Sequence, residues 1–147
     1  MIAIFLISFF VSIDQITKRI AYAYLQNLGS IPITNFLSLT YLENRGAAFG
    51  IFYGARWFFI IFTIIILVGI LFYYRSLPKS KHYTLVRISL ILISSGAIGN
   101  FIDRFLFGFV IDFFHITAFN FPIFNIADIL IVTGAIIFAI MTLIIKE

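Results

Sequence analysis

Asp112 and Asp128 bracket one short segment of a chain that is otherwise poor in groups suited to hydrolysis. Asp112 lies in Val110-Ile111-Asp112-Phe113-Phe114, and burial among such side chains disfavours a charged carboxylate. Asp128 follows Phe124-Asn125-Ile126-Ala127. Two carboxylates brought close cannot both ionise cheaply, so they share a proton. One then acts as general base toward a water, and the other gives a proton to a carbonyl oxygen or leaving group. This route to amide hydrolysis needs no serine, thiol or metal. The chain has no cysteine, which removes thiol catalysis, disulfides and cysteine metal sites. It also has no HExxH helix, and no cofactor or metal is expected.

Each aspartate also has a plainer reading. Asp112 could be a turn acid bonded to a local backbone N–H. Asn125 is a good N-cap for a following helix, which puts Asp128 at N3, where an acid suits the helix dipole. His115, three residues after Asp112, raises a rival metal site with the two acids, although only two histidines exist.

The other acids are Asp14, Glu43, Asp103 and the C-terminal Glu147. Asp14 and Lys18 are spaced i, i+4 and share a helix face, either as an interfacial ion pair or as support for a site. Asn100 and Arg104 continue a small-residue face of Ser89, Ser95, Gly96 and Gly99, a pattern that lets membrane helices pack closely. Asp103 follows Asn100 by three, so the cluster reads either as a helix-end ion pair or as part of a site. Glu43 opens Glu43-Asn44-Arg45-Gly46-Ala47-Ala48-Phe49-Gly50, where Asn and Gly fit a turn.

Lipid is the solvent these groups must live in. The 147 residues are 63% hydrophobic and only 11% charged, too little charge to cover a soluble domain. Apolar runs predict four membrane helices, roughly 1–22, 56–74, 85–105 and 127–145, in a single domain over 1–147. The fold class is an all-α membrane protein. The alternation Phe36-Leu37-Ser38-Leu39-Thr40 adds a few short strands at the membrane surface. The apolar N-terminus lacks a basic n-region and a small-residue cleavage site, so it reads as a retained first helix. With four spans, every acid but Glu147 falls at one membrane face. Lys and Arg divide evenly between the faces, but the short basic connection from Arg75 to Arg87 points to the cytoplasm. The basic residues are scattered, so no nucleic-acid partner is expected.

Several segments, in order, resemble prolipoprotein signal peptidase (signal peptidase II). They are Asp14-Gln15-Ile16-Thr17-Lys18, Asn44-Arg45-Gly46-Ala47-Ala48-Phe49-Gly50, Gly96-Ala97-Ile98-Gly99-Asn100-Phe101-Ile102-Asp103-Arg104, and Val110-Ile111-Asp112-Phe113 with Pro122-Ile123-Phe124-Asn125-Ile126-Ala127-Asp128. The resemblance runs from about Asp14 to the end of the chain. It implies a bacterial inner-membrane aspartyl endopeptidase that cuts lipoprotein precursors just before a diacylglyceryl-modified cysteine. It makes Asp112 and Asp128 the dyad, and Asn44, Gly46, Asn100, Arg104 and Asn125 the residues that line the site or hold substrate. Asp14 and Lys18 match a pair near the outer end of the first helix, and Asp103 falls within a matching motif. It further implies four helices with a small outer β-cradle and both termini cytoplasmic. The implied partners are lipid-modified precursors and membrane lipid, and a monomer is expected. Ser94-Ser95-Gly96 departs from the family, which often has another glycine there.

A non-enzymatic rival is a small transporter or proton relay. Transporters keep such acids near the bilayer midplane, whereas these collect at helix ends.

Overall fold

The structure, a computed structural model, describes residues 1–47, 51–119 and 121–145. Ala48, Phe49 and Gly50, which close the motif that begins at Asn44, lie outside the described residues, as does Glu147. The chain forms helices α1 (Ile2–Leu25), α2 (Arg56–Ser76), α3 (Thr84–Phe107) and α4 (Ile126–Ile144). Strands β1 (Ser30–Pro32), β2 (Leu37–Asn44) and β3 (Val110–Ile116) make one antiparallel sheet in the order β1-β2-β3.

By length and composition, α2, α3 with its preceding turn, and α4 can cross a membrane. α1 is as long as α3, but Asp14, Lys18 and Arg19 interrupt its apolar run. α2 is apolar on every side and buries only Ile60, as expected of a helix whose surroundings are lipid. α3 touches each of the other helices. Its buried stripe includes Ser89, Ser95, Gly96 and Gly99, the small-residue face that permits close approach.

Arginines tie α2 to α3 at both ends. At one end Gly108 stops α3 in the left-handed conformation, φ 84°. The Arg56 side chain donates to the carbonyl of Arg104 (2.8 Å), which also accepts from the Gly108 N–H, and to that of Phe105 (2.6 Å) at the helix end. At the other end Arg87 donates to the carbonyls of Leu77 (2.7 Å) and Pro78 (3.0 Å).

The sheet sits on the C-terminal end of α1. Ala21 and Leu25 of α1 pack against Ile111 and Phe113 of β3, with Leu39 and Tyr41 of β2 alongside. A register shift between Leu39 and Leu42 lets β2 continue to Asn44 opposite Val110, with Leu42 opposite Asp112. The strands expected in the first connection are therefore present. The connection after α3 differs from the loop expected there: Asp112 stands on a strand, so it is not a turn acid. All of Val110–Phe113 is buried, so no polar alternation betrays β3 in the sequence.

Candidate active site

The C-terminal end of α3, the N-terminal turn of α4 and the paired ends of β2 and β3 converge beside the second half of α1. Asn125 joins their chemistry. It is the N-cap of α4, and its side-chain oxygen accepts from the Asp128 N–H at 3.0 Å. The Asp128 carboxylate accepts in return from the Asn125 N–H at 3.1 Å, completing a reciprocal capping box. The Asn125 amide nitrogen meanwhile donates to Asp112 Oδ1 at 2.6 Å. One fully buried residue thus bonds both aspartates. Asp128 is thus the N3 member of the α4 capping box, and the residue that caps with it is also bonded to Asp112.

Every oxygen of the pair has a donor. Asp112 Oδ2 accepts from Asn44 Nδ2 at 2.9 Å, a diagonal contact across the β2–β3 ladder. Asp128 Oδ1 accepts from Asn100 Nδ2 at 2.8 Å. Asp112 is 1% exposed, whereas Asp128 is only partly buried and so is the more accessible member. Burial, and then the charge of Asp128, pushes the Asp112 carboxyl up to about 7. The Asn44 and Asn125 donors oppose that rise and do not cancel it.

Asn44 is engaged at both ends of its amide, since its Oδ1 accepts from the Gly46 N–H at 3.0 Å. It therefore holds Asp112. Arg104 lies with its guanidinium 4.5 Å from the Phe59 ring centre, and its Nη2 donates to the Gly46 carbonyl at 3.0 Å. The charges acting on it are Asp128, Asp112 and Asp103.

Behind the pair lies a closed ionic cluster. Lys18 Nζ meets Asp14 Oδ2 (2.9 Å), Asp103 Oδ2 (3.1 Å) and Asn100 Oδ1 (2.9 Å). Asp14, Lys18 and Asp103 are each at most 1% exposed, so Asp14–Lys18 is not a solvated interfacial pair. Asp14 Oδ1 also accepts from the Ala127 N–H at 2.9 Å, pinning the first turn of α4 to α1. Asp103 Oδ2 accepts from the Ile111 N–H at 3.1 Å, pinning β3 to α3. Among the described residues no buried side-chain donor or acceptor lacks a partner. Such clusters are tolerable in a low-dielectric interior only when fully satisfied.

The sequence reading left Gln15 without a role. Its Nε2 donates to Asp103 Oδ1 (3.0 Å) and to the Gly99 carbonyl (3.2 Å). An amide beside Asp14 in a helix of lipid-crossing length was the available signal. His115 is not brought to the pair. It is three residues from Asp112 on β3, hence on the other sheet face, and its Nδ1 lies 3.5 Å from Thr40 Oγ1. Among the described residues, no three His, Cys, Asp or Glu side chains gather as a metal site would require. Glu43 pairs with Arg45 at 3.0 Å.

A family model described as Signal peptidase (SPase) II matches residues 6–144. A lipoprotein signal peptidase of Caldanaerobacter subterraneus subsp. tengcongensis is 43% identical over 136 residues, covering 92% of this chain and 91% of the relative. That of Clostridium novyi is 40% identical over 144 residues, covering 95% and 96%. That of Lactococcus lactis subsp. lactis is 44% identical over 136 residues, covering 91% and 88%. A solved bacterial membrane enzyme, obtained by the in meso method at 2.3 Å resolution, superposes with a TM-score of 0.89 at 36% identity, covering 99% of this chain and 93% of the other.

Proposed function

The chain belongs to the signal peptidase II family, and from that premise we propose that it is an aspartyl endopeptidase that removes the signal peptide from diacylglyceryl-modified lipoprotein precursors, with Asp112 and Asp128 as its catalytic pair. The observation that carries this reading is the double hold of Asn125 on the two carboxylates. Asp112 keeps the shared proton and gives it to the carbonyl oxygen of the scissile amide. Asp128, the more accessible carboxylate, takes a proton from the attacking water. The tetrahedral diol collapses, the C–N bond breaking, as Asp128 passes the proton it took from water to the leaving nitrogen and Asp112 takes back the proton of one diol hydroxyl.

In this reading α1 is a fourth span, with its charged groups turned inward onto α3 and α4 rather than toward lipid. The buried Asp14–Lys18–Asp103 cluster supports it, because those charges are satisfied within the protein. The site then faces the outer side of the bacterial inner membrane, both termini are cytoplasmic, and the chain acts as a monomer without a cofactor. A precursor whose signal helix and acyl chains stay in the bilayer meets the carboxylates only where its amide reaches water.

Purified protein should release a signal peptide from a lipid-modified precursor, leave the unmodified precursor intact, and keep its activity in chelator. Cleavage of neither precursor would remove the proposal, and loss of activity in chelator would favour the metal rival. In this reading Arg104 holds substrate carbonyl groups. Arg104→Ala should lower kcat/KM about 10- to 100-fold, the scale of one charge-assisted hydrogen bond. Unchanged kinetics would remove that role.

A further inference from the structure

Lys18 is wholly buried, touches neither aspartate of the pair, and has no part in the hydrolysis described above. An ammonium group is a donor only, with three N–H bonds and no acceptor. Its partners here are Asp14 Oδ2, Asp103 Oδ2 and Asn100 Oδ1. The atom of Asn100 that faces Lys18 must therefore be the carbonyl oxygen, and Asn125 Nδ2, at 3.2 Å from that oxygen, imposes the same choice. The other end of the amide is then –NH2, and it meets Asp128 Oδ1 at 2.8 Å.

Resting on the catalytic pair named above, we propose that Lys18 is a positioning residue: it fixes the Asn100 side-chain amide so that its –NH2 faces Asp128 and keeps that carboxylate in the form that accepts a proton from water. A turned amide would present oxygen to oxygen, an arrangement that is stable only when Asp128 carries a proton and cannot act as a base. The charge of Lys18 acts on Asp112, where it favours the ionised carboxylate. Toward Asp128 Lys18 is locked between two carboxylates, and its link there is the Asn100 amide. The charged groups around the first turn of α4 are Asp14 and Lys18 on α1, Asp103 and Arg104 on α3, and Asp112 on β3. Of these charged groups only Lys18 reaches Asp128 through the Asn100 amide, and its 2.9 Å bond to the amide oxygen is shorter than the 3.2 Å of Asn125 Nδ2, whose nearest acceptor is Asp112 Oδ1 at 2.6 Å.

The test is a double-mutant cycle of Lys18→Met and Asn100→Leu on cleavage of a lipid-modified precursor. Lys18→Met strands two buried acids, so the cycle is also run with Asp14→Asn and Asp103→Asn present, which removes the whole charged trio together. Each change should lower kcat about 10- to 100-fold with KM little altered. The double variant should be no worse than Asn100→Leu alone. In Lys18→Met the acidic limb of the kcat profile should move to higher pH, because the pair has lost a donor to its charged form. Additive losses, or an unmoved acidic limb, would overturn the proposal. Independently of any variant, the Asn100 side-chain NH2 resonance of the wild-type protein should follow titration of the pair, and one that does not respond would also overturn it. If Asp128→Asn still cleaves, the catalytic pair fails; if it is inactive while the cycle is additive, only the role of Lys18 fails.

Discussion

Asp128→Asn and Asp112→Asn should each fold and each lower precursor cleavage by about 10⁴-fold or more, because the general base and the general acid are separate groups and neither replaces the other. Retained cleavage by either variant would remove that residue from the pair. The two should differ in stability. Asp112 sits at about 7 in the folded protein against 3.8 unfolded, so the folded state binds the proton more tightly. Stability from this site is therefore fully present below about 3.8 and is lost as pH rises to about 7. The loss is on the order of 4 kcal/mol for this nearly unexposed group. Asn at 112 escapes that cost, but its NH2 must face a donor from Asn44 or Asn125, a conflict of about 1–3 kcal/mol. The balance favours the variant at pH 8, with Tm higher by about 2–10 °C, and favours wild type near pH 4. Thermal unfolding at the two pH values measures this crossover, and a variant less stable at both would show that Asp112 is not destabilised by its charge.

Gly96→Ala should be the most damaging single-methyl change on α3. A Cβ there would collide with the Ala127 backbone carbonyl, and the Ile131 side chain lies 2.7 Å away. At Gly99 the collision is with the Asp14 carboxylate, which Lys18 and the Ala127 N–H already hold in place. Neither neighbour can give way cheaply, and overpacking of this kind costs about 1–3 kcal/mol, roughly 2–12 °C in Tm. Both changes push on the first turn of α4, which carries Asp128, so kcat should fall along with Tm. Gly69→Ala on α2 is the control: nothing lies within 4 Å, and alanine is the better helix former. It should leave activity unchanged and Tm unchanged or raised. Equal behaviour of all three variants would rule out the close-packing argument.

The sequence exposed the chemistry better than the architecture around it. Asn125 and Asp128 were readable as a helix start because capping has a local signature. The small-residue face of α3 was readable as a packing surface, but which neighbours it admits depends on contacts far apart in the chain, Asp14 and Ala127 among them. Asp14 and Lys18 looked equally like a solvated pair, since i, i+4 spacing fixes a shared face and not what that face meets. β3 was missed because a strand buried on both faces loses its period of two. Arg56 and Arg87 carry no distinguishing signal in the sequence, because each bonds backbone carbonyls of helix ends and turns, partners with no side-chain signature.

Asn125 starts α4 and grips both acids with the same few polar atoms. Fraying of that first turn would therefore switch the chemistry off before the helix was otherwise disturbed. Local melting and inactivation should share one onset, well below the temperature at which the bundle comes apart.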